Sequence, residues 1–178
     1  MLGSCNRRPR VYLAGPDVFF PEAFKHAQER KEILAERGME GVFPLDSEPG
    51  GESPPMSASA IFSKNRQLID SCQAVLANIT PFRGPSADVG TAWEIGYACG
   101  QGKPVVGYSA DLSIYKEKVF QHGWSGAARV LFDREGNQIE NFEGVDNLML
   151  TQSVVAICAT FAEAAATLQR ALSRGPAK

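Results

Sequence analysis

The sequence predicts an α/β domain whose parallel sheet is covered by helices on both faces. Two patterns point to it: short apolar runs that end in turns, and segments of helical period between those runs. Length agrees, since 178 residues fit one domain large enough to bury a core.

Arg10-Val11-Tyr12-Leu13-Ala14-Gly15 reads as a buried strand ending in a turn. Pro21 opens a helix, where its missing N–H costs nothing. Phe20, Ala23, Phe24, Ala27 and Leu34 keep the helical period, and Gly38 is the stop. Val42-Phe43-Pro44 is the second strand. Leu45 to Met56, rich in Gly, Pro, Ser and Glu, is expected to be a mobile loop. Ser57 caps a helix running to about Cys72, and Ala74 to Ile79 forms the third strand.

Thr80 to Asp88 is a turn-rich loop, and the segment after it forms a helix broken near Gly100 and Gly102. Pro104 to Tyr108 is the fourth strand. Val130-Leu131-Phe132 and Ile139 to Phe142 flank a turn-like run and read as a hairpin or an irregular excursion. An Ala-rich helix from about Thr151 to Leu172 closes the chain. Four or five strands in this alternation give a single doubly wound, flavodoxin-like domain over residues 10–173. A flexible segment 1–9 precedes it and a tail 174–178 follows.

Composition narrows the function. Net charge is −2, and no Lys/Arg stripe interleaves with aromatics, which argues against a nucleic-acid surface. The apolar runs are too short to span a membrane, and the start lacks the apolar stretch of a signal peptide. Cys5, Cys72, Cys99 and Cys158 form no Cys-x-x-Cys pair, so no zinc or redox site is suggested. The last three sit in apolar, helix-like contexts and read as buried thiols, which suits a cytoplasmic compartment. With only His26 and His122 present, chemistry is expected to rest on carboxylates, without metal or organic cofactor.

Sheets of this kind bind ligands at the carboxyl ends of their strands. Polar residues collect at that edge: Asp17 after strand one, Thr80 to Asp88 after strand three, Ser109 to Asp111 after strand four. The richest segment is Asp88-Val89-Gly90-Thr91-Ala92-Trp93-Glu94-Ile95-Gly96-Tyr97-Ala98. Glu94 stands between Trp93 and Ile95, where a charge needs a reason.

Two readings of Glu94 stand side by side. Thr91-Ala92-Trp93-Glu94 matches a capping box, in which the glutamate bonds the N-cap N–H. Alternatively Glu94 is a nucleophile or base near a helix N-terminus, suited to attack on an anomeric carbon. Asp88 either caps the same helix or faces a leaving group. Tyr12 either packs in the core or orients Glu94. Phe19 or Phe20 could stack on a planar ligand, Phe20 fitting the core better, and Trp93 reads as packing.

Val11-Tyr12-Leu13-Ala14-Gly15-Pro16, the segment from Asp88 to Ala98, Gly102-Lys103-Pro104-Val105 and Asp146-Asn147-Leu148-Met149 together resemble the nucleoside 2-deoxyribosyltransferase family. The resemblance implies that Glu94 forms a covalent 2-deoxyribosyl-enzyme. It makes Asp88 the acid beside the nucleobase and Tyr12 the hydroxyl holding Glu94. Asn147 would serve a neighbouring subunit's site, which implies a homo-oligomer with shared active sites. Gly15, Asp17, Phe19, Asn65 and Gly90 are the further positions expected at the substrate.

Where many members carry an acidic residue near the base, Asn65 stands here. Its amide can donate and accept but supplies no titratable proton. Otherwise it is a solvent-facing helix residue. The phosphate-binding Gly/Ser/Arg pattern of related deoxynucleotide N-hydrolases is absent after strand one, and Asp17 would repel a phosphate, which favours nucleosides. Substrates are then a 2′-deoxynucleoside and a free nucleobase. Two rival functions remain: a nucleoside or nucleotide N-glycosidase, and a non-catalytic nucleoside-binding module.

Overall fold

The computed structural model describes residues 7–46, 57–122, 132–133 and 135–174. Along the chain it runs β1 (Arg10–Ala14), a 3₁₀ turn (Pro16–Phe19), α1 (Ala23–Glu36), β2 (Glu40–Val42), α2 (Ala58–Ser71) and β3 (Ala74–Asn78). Then come α3 (Val89–Gly100), β4 (Val105–Tyr108), α4 (Tyr115–Gln121), α5 (Leu148–Ser153), β5 (Ala156–Cys158) and α6 (Phe161–Arg174). The strands form one five-stranded sheet in the order β2-β1-β3-β4-β5, with every pairing parallel. The chain leaves β1 toward β2, then crosses back to β3 on the other side. That reversal between β1 and β3 opens a crevice at their carboxyl ends.

Alternation along the strands divides the core in two. Val11, Leu13, Leu76 and Val106 face α1 and α6, packing with Ala27, Leu34, Ala164, Ala165 and Leu168. Tyr12, Ala14, Val75, Ala77 and Val105 face the opposite layer, with Ile69 of α2, Ile95 and Ala98 of α3 and Leu150 of α5. Each fully buried Val, Leu or Ile side chain contributes about 1.5–3 kcal/mol, an alanine less. Tyr12 is the polar exception in this apolar set, and it belongs to the layer that contains α3.

Several element boundaries follow from chemistry visible in the sequence. Ser57 caps α2 by accepting from the Ala60 N–H at 3.2 Å. Gly38, at φ +73°, follows the end of α1 in the left-handed conformation that suits glycine.

Others differ from expectation. β2 lies at Glu40–Val42, earlier than Val42–Pro44, because Pro44 has no N–H and the Phe43 N–H donates to Asp46 Oδ2. Helix α1 begins at Ala23, and Phe24 is 65% exposed. Its inward stripe is made of small residues, Ala23 and Ala27, with Leu34. Phe20 is only half-buried.

The largest difference is at the end of the chain. The single helix expected from Thr151 to Leu172 is interrupted by β5, which pairs with β4 through Val106↔Ala156 and Tyr108↔Cys158. The β-branched run Val154-Val155-Ala156-Ile157 favours a strand over a helix. A start signal for α6 is also present in Thr160-Phe161-Ala162-Glu163. The Glu163 N–H donates to Thr160 Oγ1, and Glu163 Oε2 accepts from the Ala159 N–H. Cys158 therefore lies on a strand. It and Cys99 are half-buried, and Cys72 is buried.

The excursion after β4 includes an antiparallel bridge, Phe132↔Gln138, around the turn at Asp133. Cys5, Trp124, Val130, Leu131 and residues 47–56 of the expected mobile loop lie outside the described residues. Among the described residues no helix is long and apolar enough to cross a membrane.

Candidate active site

Helix α3 is N-capped by Asp88, whose Oδ2 accepts from the Thr91 N–H at 3.1 Å. Thr91 is therefore the third residue of the helix and not its cap, so the capping-box reading of Glu94 does not hold. The capping role weighed for Asp88 is realised through one oxygen. Its Oδ1 has no hydrogen-bond partner among the described residues. Gly90 keeps that carboxylate in place, since a Cβ there would stand 3.0 Å from Asp88 Oδ2.

Glu94 lies further along α3. Its Oε1 accepts a 2.6 Å hydrogen bond from the Tyr12 hydroxyl, which reaches across from β1. Tyr12 is fully buried, whereas Glu94 is half-buried. Oε2 has no hydrogen-bond partner among the described residues. Burial pushes the Glu94 carboxyl up to about 7, opposed by the Tyr12 hydrogen bond and assisted by the nearby Asp88 charge. Burial and the neighbouring Glu94 likewise push the Tyr12 phenol well above its ordinary range, so Tyr12 donates as a neutral hydroxyl.

The loop after β1 forms a second wall. Asp17 is 2% exposed and pairs with Arg30 of α1 at 2.8 Å. Both its oxygens also accept from Asn78 Nδ2, at 3.2 and 3.1 Å. Inside the fold the Asp17 charge is thus paired with the Arg30 guanidinium. The argument against phosphate based on that charge therefore falls. Gly15, at φ +154°, allows this packing, because a Cβ there would come within 2.5 Å of Asp17 Oδ2 and 2.7 Å of Asn78 Cβ.

Beyond Asp17, Phe19 is 57% exposed and stacks on Phe82 of the β3–α3 loop, with centroids 5.7 Å apart and rings 8° from parallel. The Arg83 guanidinium covers both rings, 5.1 and 4.7 Å from their centroids. An open cleft of about 560 Å³ borders this loop, between Thr80, Pro81, Arg83, Gly84, Asp111 and His122.

Trp93 packs with Phe62 of α2 and Tyr97 of α3, in keeping with a packing role. Asn65 is half-buried on α2, one turn before Ile69. Because α2 leads from the carboxyl edge into β3, that turn lies on the crevice side of Ile69. Asn147 caps α5, accepting from the Met149 N–H and donating to Glu140. Among the described residues no group of three His, Cys, Asp or Glu side chains is arranged to hold a metal ion.

Geometry thus joins Tyr12 to Glu94, brings the Asp88 charge to bear on Glu94, and stacks Phe19 on the loop that leads to Asp88. Sequence reasoning missed Arg30, Asn78, Phe82, Arg83 and Ser86. Their partners are far away in sequence, and no local spacing reveals them.

Fold and site define a doubly wound α/β domain in which a tyrosine of β1 holds a glutamate of α3. The model of the nucleoside 2-deoxyribosyltransferase family matches residues 11–149, and the chain belongs to that family. It is 37% identical over 145 residues to the uncharacterized protein C191.05c of Schizosaccharomyces pombe, covering 77% of this chain and 69% of the yeast protein. A 2-deoxyribosyltransferase from Leishmania mexicana superposes with a TM-score of 0.71 at 29% identity, over 91% of this chain and 97% of that one. One from Bacillus psychrosaccharolyticus gives 0.52 at 23% identity, over 89% and 95%, a likeness of fold.

Proposed function

We propose that the protein transfers a 2-deoxyribosyl group between nucleobases of 2′-deoxynucleosides by double displacement. The observation that carries this reading is the 2.6 Å hydrogen bond from Tyr12 to Glu94 at the sheet's ligand-binding edge, beside Asp88. Glu94 Oε2 attacks the anomeric carbon as the N-glycosidic bond breaks, and the departing base takes a proton from a water held by Asp88, to which the incoming base later returns one by the same route. A second base attacks the glycosyl ester from the same side, expelling Glu94 with net retention. The Tyr12 hydroxyl favours the carboxylate both as attacking group and as leaving group.

Phe19 offers a face for the base, and Asn65 offers an amide at the crevice. Asn147 serves a neighbouring subunit in a homo-oligomer, exchanging its Glu140 bond for a sugar hydroxyl.

Incubation with a 2′-deoxynucleoside, with and without a different free base, tests the reading by chromatography of products. A new deoxynucleoside is expected. Free base and sugar alone would replace it with hydrolysis. No turnover across purine and pyrimidine substrates would leave only a binding module. Light scattering tests the oligomer, which a monomeric mass would overturn.

Tyr12→Phe removes the hydroxyl that holds down the Glu94 carboxyl. The acid limb of the kcat/KM profile, set near pH 7 in the parent, should move to higher pH. Below the parent limb the variant should lose on the order of tenfold in kcat/KM, the usual worth of a hydrogen bond to a charged group. An unmoved limb would remove Tyr12 from this role.

A further inference from the structure

Asp146 immediately precedes Asn147, yet its side chain points back into the protein and is 2% exposed. Its Oδ1 accepts from the Ser86 hydroxyl and from the Asn147 N–H at 2.7 Å. Its Oδ2 accepts from the Ala87 N–H at 2.8 Å. One carboxylate therefore binds the two residues before Asp88 and the residue that caps α5. No ion pair supports it among the described residues. The charged and titratable groups around it are Lys118 and Tyr115 of α4, and Glu140. The Lys118 ammonium is itself buried and is used on the Val145 and Asp111 carbonyls.

We infer that Asp146 is a positioning residue of the active site: it fastens the end of the β3–α3 loop to the start of α5 and so fixes Asp88 and Asn147 relative to each other. The chemistry of the clamp requires a carboxylate. Both oxygens face N–H donors, from Ala87 on one side and Asn147 on the other. An asparagine has one oxygen, so whichever way its amide turns, its NH₂ meets a backbone N–H. The loop end has few alternatives, since Phe82 N–H to Ser86 O is the bond that closes it upstream. Asp88 is the next residue along and also caps α3, so a displaced Ala87 displaces the carboxylate whose charge acts on Glu94. The titratable groups acting on Glu94 are Asp88 and Tyr12.

This inference rests on the function proposed above for its kinetic consequences, but not for the clamp itself. Asp146→Asn is the principal variant, and Ser86→Ala, which deletes one hydroxyl, serves where the first fails to fold. Amide hydrogen exchange of the full chain reads the clamp directly. The Ala87 and Asn147 amides are expected to be protected in the parent and to exchange at least about tenfold faster in Asp146→Asn.

In the transfer assay, kcat/KM is expected to fall by about tenfold or more, and Ser86→Ala to fall less. The acid limb should move to lower pH, because an Asp88 no longer held beside Glu94 raises its carboxyl less. A defect of stability alone would not move that limb. Asp146→Glu, which keeps the charge, should recover part of the activity. Unchanged exchange at both amides would overturn the clamp. Released amides with kcat/KM and the acid limb as in the parent would overturn its role in positioning. If the parent turns over no nucleoside, the proposed function fails, and exchange alone decides the clamp.

Discussion

Glu94→Gln is expected to abolish transfer, with turnover down by more than about a thousandfold, while the fold stays intact or becomes firmer. The loss follows from chemistry: a neutral amide cannot form and release a glycosyl ester. The gain follows from burial. The carboxyl is held up to about 7 in the folded protein against an ordinary 4.5. A raised carboxyl contributes stability that is complete below the unfolded value and lost as pH climbs through the folded one.

At about pH 8 the parent therefore holds an ionised, half-buried carboxylate at a cost on the order of 3 kcal/mol. The glutamine avoids that cost and still accepts from Tyr12 through its amide oxygen. Denaturant unfolding at about pH 8 and about pH 4 should show the variant more stable at the higher pH, with the advantage vanishing at the lower one. A variant that keeps turnover within about tenfold of the parent would remove Glu94 as nucleophile, since loss of a working nucleophile costs far more.

The same residue shows how far the sequence could be read. A glutamate between Trp93 and Ile95 marked the site, because an ionisable group in an apolar segment needs a reason. Its partner was legible too: Tyr12 and Glu94 are brought together by β1 and α3, elements that periodicity alone identifies. The competing capping box failed on a detail of local geometry, since Asp88 starts the helix three residues before Thr91. A related pattern occurs at Thr160–Glu163, where Thr160 accepts from the Glu163 N–H and Glu163 reaches back one residue further, to the Ala159 N–H, and there an Ala-rich stretch concealed the break before α6.

The partner of Asp17 is hidden for a different reason. Its charge was visible, but its counter-charge lies on the next helix, and a single sequence does not show which of α1's basic residues turns inward. Ser86 and Asp146 are 60 residues apart and meet only through the crossover. The alternating pattern revealed the framework and one end of each contact. The other end depended on tertiary packing.

Arg30→Met is expected to cause the largest loss of stability among single changes at the site's margin. Arg30 pairs with Asp17 at 2.8 Å, the two side chains being 17% and 3% exposed, and its guanidinium lies 5.6 Å from the centroids of both Tyr108 and Phe161. Methionine fills much of that space but leaves the Asp17 carboxylate buried with only the Asn78 amide. Breaking a buried pair on one side costs about 3–5 kcal/mol. In a domain of this size that corresponds to a fall in Tm of roughly 10 °C.

Arg30→Lys should recover only part, because a point charge cannot keep both the carboxylate contact and the aromatic stacking. Asp17→Asn combined with Arg30→Met removes the stranded charge. The pair should therefore be more stable than Arg30→Met alone, a coupling that thermal melts of the four proteins measure directly. Function should follow through Phe19, two residues beyond Asp17 on a turn closed by the Phe20 N–H to Asp17 O bond at 3.1 Å. With that turn loosened, KM is expected to rise more than kcat falls. A double variant no more stable than Arg30→Met would show that Asp17 is not stranded, and that the aromatic contacts account for the effect.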